Sequence, residues 1–503
     1  MVVRHEKIGD ADTKSICFIQ KIRKDEEMKV KESEYLKLKK SILKKLLDKL
    51  LARYEYASIL ANDSKSTNYR VSKTGTNISE DGTLSERGFC VKVYDNGKAA
   101  EYSFSAIEDD TVDAVFDEIT KRLDTLGKTL PEGVTAFSFD GVEDEKLYIN
   151  ESTEYEVDPE EKGDNNIIDL LTRISEKGRA YDEKIIDCSV AFSYQKYSKM
   201  FLSRNKDLTQ NVMWSCGYIV AMAKDGEEIQ NGYKPVSMLG GIEELDTLES
   251  KLEDACKTAI ELLSAEQMIP GEYDCICEPD VTGMIVHEAF GHGVEMDMFV
   301  KDRAQAQEFI GKQVASELIT MHDGACTIPQ VATYFFDDEG VLAHDTIIID
   351  KGILKTGICD AQSAMHLGVA GTGNGRRQDT TRKAYTRMTN TIFEAGTSKV
   401  EDMIASVKYG FLLCQASSGM EDPKNWGIQL MVDIAREIKD GKLTGKIFSP
   451  IVLTGYVPDL LKSISMISDS IEAGGTGYCG KGYKEWVKVS DGGPYIKARI
   501  RLG

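Results

Sequence analysis

The stretch from Val281 to Asp297, VTGMIVHEAFGHGVEMD, sets a geometric condition that few backbones meet. It opens on apolar residues and then places His287, Glu288, Gly291 and His292 close together, in a chain with only six histidines among its 503 residues. Two histidines around an acid are the pattern of a catalytic zinc site. Neutral imidazoles bind the ion, one position is left for water, and the carboxylate serves as its base. In the His-Glu-x-x-His helix the rings stand four residues apart and share a face. His287 and His292 are one residue further apart, which on a regular helix turns the rings about 140° away from each other. A π-type turn brings i and i+5 into line, and Gly291, which lacks a Cβ, lowers the cost of that distortion. The spacing therefore predicts a widened or broken turn over residues 288–292.

Two ligands do not complete such a site. A third can come from nearby, as Glu295, or from Cys479 in the glycine-rich run GGTGYCGKGYK near the C-terminus. A thiolate suits zinc, although on local grounds a thiol simply packed in a loop is the better account of Cys479.

Several ordered motifs then carry a resemblance. HEAFGHGVEMD at 287–297, GKQVASELIT at 311–320, FDDEGV at 336–341, TGNGRRQ at 372–378, RMTNT at 387–391 and CGK at 479–481 together resemble the TldD/PmbA family of metallopeptidases, specifically the TldD-type subunit that bears HExxxH. The resemblance implies His287, His292 and Cys479 as metal ligands, Glu288 as the catalytic base and one Zn2+ per chain. It also implies hydrolysis of peptides or unfolded segments, with a PmbA-type partner subunit or a second copy of the chain. One departure is Gly482-Tyr483-Lys484-Glu485-Trp486, where the family more often has an acidic residue, Gly and Gln.

The length predicts about three units: an N-terminal α+β domain over 1–127 led by a charged helix, a central α+β domain over 128–269, and a C-terminal domain over 270–503. The fold class expected is α+β, the last domain being mainly antiparallel β and carrying the metal-binding helix. Within residues 22–52 leucines recur at helical spacing from Tyr35 onward, which predicts a helix packed on a core or a subunit. Alternating strands follow, with a hairpin turn at Asp95-Asn96-Gly97, then a helix near 110–126. The order helix, strands, helix recurs from 164 to 266, and GVTAFSF in the connection before it reads as a short strand. Beyond 270, strands are expected at EYDCIC, over 331–358 with turns at Asp338-Glu339-Gly340 and Asp350-Lys351-Gly352, and at 408–415, 427–438 and 445–452.

Composition narrows the function classes. Hydrophobic residues make up 41% and charged ones 29%, which is ordinary for a globular protein. No apolar run is long enough for a membrane span, and the opening MVVRHEKIGDADTK lacks the apolar core of a secretory signal. Eleven scattered cysteines, an odd number, point to a reducing cytoplasm rather than a disulfide framework. Cys275 and Cys277 share a strand face and read as core thiols. A net charge of −21 disfavours nucleic acid as a partner.

Arg376 and Arg377 in TGNGRRQ are candidates for holding substrate or an oxyanion, against a structural role in ion pairing. His322, His344 and His366 read as satisfied polar residues rather than ligands, with an electrophilic helper among them as the alternative. The function expected is metal-dependent peptide hydrolysis. The alternatives are a non-catalytic metal-stabilised binding subunit and an amide hydrolase acting on a modified peptide.

Overall fold

Residues 2–7, 15–20, 28–95, 98–126, 144–243, 245–483 and 485–503 are described by the computed structural model. Asn96, Gly97 and the GVTAFSF segment lie outside them. The charged leading helix spans Glu34–Leu51, with the Ser33 hydroxyl accepting the amide N–H of Leu36 as its cap. Leu36, Leu43, Leu46, Leu47 and Leu50 form its buried stripe, while Lys40 and Lys44 on its polar side meet Asp207.

That stripe packs on an eight-stranded sheet whose main path runs Glu228–Leu239, Lys206–Asp225, Ile185–Leu202, Tyr56–Ser72, Glu86–Asp95, Lys98–Phe104. Side chains alternate across a strand. In Tyr56–Ser72 the odd positions Ala57, Ile59, Ala61, Tyr69 and Val71 face the helices, and Leu60 faces the C-terminal half beside Phe336. Helices Glu34–Leu51, Val112–Leu126, Asp164–Arg179 and Leu252–Leu262 all cover the first face. The boundary expected at residue 127 does not divide this sheet, because Ile59–Val71 pairs antiparallel with Val190–Leu202. Strands long enough to reach both helix pairs join the two expected units into one layer. The helix expected over 246–266 is two helices, Leu245–Ser250 and Leu252–Leu262.

The C-terminal half is built largely from strands. Gly271–Cys277 pairs parallel with Tyr409–Asp422 and antiparallel with Ile496–Leu502, and Gly427–Lys439 and Ile451–Tyr456 complete the circuit into a closed five-stranded barrel. Cys275 and Cys277 are fully buried in its core with Phe411, Leu413, Leu453 and Ile500. A six-stranded sheet lies beside it, from Ile353–Leu354 through Met321–Asp323 and Asn390–Phe393 to Ser490–Gly493 and Glu472–Gly474. Residues 331–345, expected as strand, are almost entirely loop. There Asp337 accepts the amides of Glu339, Val341 and Gly375, and so supplies the acceptors that a neighbouring strand would provide.

This loop is where the N-terminal sheet docks. Lys92 pairs with Glu339, Lys199 with Asp338, and Arg377 with Glu101.

Candidate metal centre

Strand Gly271–Cys277 leaves the barrel at Glu278 and enters a helix at Pro279, a residue that starts a helix without wasting an N–H. The backbone is α-helical over Pro279–Ile285, a π turn over Val286–Gly291 and a 3-10 turn over His292–Val294. The widening starts two residues earlier than expected and ends at Gly291, one residue before the second histidine. Its effect is the required one, with the rings of His287 and His292 perpendicular and their centroids 5.3 Å apart.

Gly291 has a different reason from the one read in the sequence. Its φ of −63° and ψ of −50° are ordinary helical values. A Cβ there would lie 2.1 Å from the sulfur of Met388. The glycine leaves room for the buried Met388 side chain, and the turn itself asks for no unusual backbone there.

Cys479 arrives on the hairpin of Tyr478–Lys481 with Glu485–Lys488. Its Sγ stands 3.5 Å from His292 Nε2, and donor atoms of His287, His292 and Cys479 all lie within 4.8 Å of one another. Ligands about 2.0–2.3 Å from a tetrahedral zinc are themselves about 3.5 Å apart, so the trio is near the size such an ion needs. Burial opposes charge on every member. For Cys479 the two imidazoles outweigh it and hold the thiol well below its ordinary value, while the sulfur lifts His287 to about 9 and His292 well above the ordinary imidazole range. The cluster thus holds positive charge in the form of protons around a thiolate. A divalent cation would replace those protons, and the donor set fits one.

Glu288 lies alongside, its Oε2 4.0 Å from His292 Nε2. Room for it comes from Gly419, where a Cβ would sit 2.4 Å from Glu288 Cγ. Glu295, weighed as a third ligand, is instead 3.1 Å from His292 Nδ1, the ring nitrogen turned away from Cys479. Burial raises its carboxyl, but Lys481 and His292 outweigh that and bring it to about 2. Such a carboxylate fixes the ring's orientation and tautomer.

Two residues of the quoted motifs that drew no role from the sequence hold this arrangement together. Lys481 bridges Glu295, Asp297 and the carbonyl of Thr386. Arg387, 1% exposed, donates to the carbonyls of Cys479 and Glu485 and so locks the hairpin to the RMTNT segment. A charged residue next to a ligand motif was the available signal, but its partners are distant in sequence.

Arg376 and Arg377 do not join the trio. Arg376 donates to the carbonyls of Met388 and Lys488, and Arg377 is buried against Glu101 and the carbonyl of Arg382. Arg377 thus makes a buried ion pair and Arg376 bonds to carbonyls, each through both terminal nitrogens of its guanidinium. His322 is held between Asp345 and Glu394, at 2.9 Å from each. Among the described residues no helix is long and apolar enough to cross a membrane.

Comparison with known proteins places this geometry in context. Residues 270–500 match the family model of the PmbA/TldA metallopeptidase C-terminal domain. A metalloprotease of Methanocaldococcus jannaschii is 27% identical over 453 residues, covering 90% of this chain and 97% of its own length. The zinc metalloprotease TldD homolog of Saccharolobus solfataricus is 26% identical over 346 residues, covering 68% of this chain and 77% of its own. The crystal structure of TldE from Thermococcus kodakarensis, 16% identical, superposes with a TM-score of 0.70 over 92% of this chain and 99% of that one, which shows a shared mixed α+β fold. With these matches running through both halves of the sequence, the chain belongs to the TldD/PmbA family.

Proposed function

We propose that this chain is a zinc-dependent peptidase of the TldD type, with His287, His292 and Cys479 as the ligands and Glu288 as the general base. The observation that carries the reading is the convergence of those three donors beside an acid held over a glycine. The names of the metalloprotease relatives support it at the level of the family.

Held by the three donors, the ion would polarise the scissile carbonyl and lower the pKa of a bound water toward ~7. Glu288 takes the proton from the attacking water and passes it to the leaving amine. Glu295 keeps His292 Nδ1 occupied, so that Nε2 presents its lone pair toward the sulfur side. The substrates are peptides or unfolded segments, whose extended backbone can pair with strand edges beside the site. The working form is an assembly with a PmbA-type subunit or a second copy of the chain, as resemblance to a family that includes TldE favours.

The test is metal analysis together with turnover of a peptide library read by mass spectrometry. Zinc near one per chain, cleavage by the native protein, and loss of cleavage with zinc retained in Glu288→Ala are expected. Zinc binding with no cleavage of any peptide would replace this reading with that of a metal-stabilised binding subunit, and hydrolysis confined to a modified amide would move the substrate class.

A further inference from the structure

Strand Tyr409–Asp422 touches the metal-binding turn through two residues on one of its faces, Gly419 and Glu421. Gly419 makes room for Glu288. Glu421 does something different. Its Oε2 accepts the backbone N–H of Gly293 at 2.8 Å, directly after His292 and within the 3-10 turn into which the π turn resolves. Hydrogen-bond registers change at such a junction, and N–H groups there need partners from outside the helix. The other oxygen, Oε1, is shielded from solvent and has no hydrogen-bond partner. It occupies the space that a side chain on residue 293 would fill, since a Cβ on Gly293 would fall 2.5 Å from it.

Glu421 is thus seated in a notch that exists because residue 293 is glycine. The acid and the glycine form one device, contributed by elements 128 residues apart in the chain. His292 is already turned about its own axis by Glu295. Nothing in that contact fixes the height of its backbone above the barrel, and the Gly293 N–H to Glu421 bond does.

We propose that Glu421 is a positioning residue for the second imidazole, holding the end of the widened turn against the barrel so that His292 Nε2 meets the same ion as His287 and Cys479. The inference rests on the metal reading above. It assigns Glu421 no contact with the ion or the substrate.

The experiment measures zinc affinity by chelator competition for the full chain and for Glu421→Ala, Glu421→Gln, Gly293→Ala and the double variant Gly293→Ala/Glu421→Ala. Circular-dichroism melts of the metal-free proteins are run in parallel. Outer partners of metal ligands typically alter affinity by ~10–100-fold, so Glu421→Ala is expected to bind zinc at least ~10-fold more weakly. Glu421→Gln keeps a carbonyl oxygen for the Gly293 N–H and is expected to stay within about threefold of the native protein, a rescue that general loss of packing would not produce. Gly293→Ala alone is expected to weaken binding, whereas in the double variant the new methyl enters vacated space and adds no further loss to that of Glu421→Ala. If Glu421→Ala does not fold, Gly293→Ala and Glu421→Gln carry the same comparison.

Native protein that binds zinc while both Glu421→Ala and Gly293→Ala bind it equally well would overturn the positioning role and leave the metal site standing. Additive losses in the double variant would also overturn it. Native protein that binds no zinc at all would remove the metal reading and this one with it.

Discussion

The sulfur of Cys479 and Nε2 of His292 are 3.5 Å apart although 187 residues separate them in the chain. The imidazoles keep the thiol ionised against the cost of burial, which is the form a cation needs, while the sulfur in turn keeps on His292 a proton that a cation would displace. Cys479→Ser replaces a soft thiolate by a neutral hydroxyl. Zinc affinity is expected to fall by ~100-fold or more, with a circular-dichroism spectrum unchanged. Chelator competition checks this, and near-native affinity in the serine variant would show that Cys479 is not a ligand.

Lys481 neutralises Glu295 and Asp297, and its own side chain is 12% exposed against 2% and 8% for the two acids. Lys481→Met removes the ammonium shared by two buried carboxylates and leaves Glu295 to His292 and Asp297 to Lys301. Removing one partner of a buried ion pair costs about 3–5 kcal/mol, so urea unfolding at neutral pH should show a loss of that order. A variant as stable as the native protein would mean that His292 alone suffices to hold Glu295.

Acid should act on the contact between the two halves through Glu101. Burial raises its carboxyl, but Arg377 and Lys92 outweigh that and bring it from 4.5 to about 2. A depressed carboxyl contributes stability that is complete above its unfolded value and is lost as pH falls from about 4.5 toward about 2. The shift corresponds to about 3 kcal/mol. Glu101→Gln should therefore be destabilised at neutral pH, and the gap from the native protein should close across that acid window. Urea midpoints measured from pH 7 to pH 2 test it, and a gap constant with pH would refute the assignment.

If Glu288 is the base proposed above, Gly419 bears on catalysis and not on metal binding. A methyl there would lie 2.4 Å from Glu288 Cγ and 2.5 Å from Leu430 Cδ2, so Gly419→Ala must displace the acid. Misplacing a catalytic group by about 1 Å can cost ~100-fold in rate. Zinc content is expected to be unchanged while kcat falls by at least ~10-fold, and equal kcat in both proteins would place the base elsewhere.

Much of this was legible in the chain itself. The leucine spacing of Glu34–Leu51 and the alternation in Tyr56–Ser72 and Gly427–Lys439 report local periodicity, which a sequence displays directly. The five-residue gap between His287 and His292 forced a widened turn for the same reason. The loop over 331–345 was misread because alternating apolar residues mark a strand only when a neighbour supplies the ladder, and here Asp337 supplies acceptors instead.

By itself, then, the sequence determined most of the elements, the pairing of two histidines with an acid and the need for a widened turn, since all three are set by residues within a few positions of each other. Tertiary structure alone decided that Glu295 braces His292 while Cys479 meets it from the other side, that Gly291 answers to Met388, and that Arg376 and Arg377 have internal partners. Those outcomes depend on which distant backbone passes within about 3 Å of a given atom. That distance is fixed only when the barrel closes and brings Gly271–Cys277 against both Tyr409–Asp422 and Ile496–Leu502.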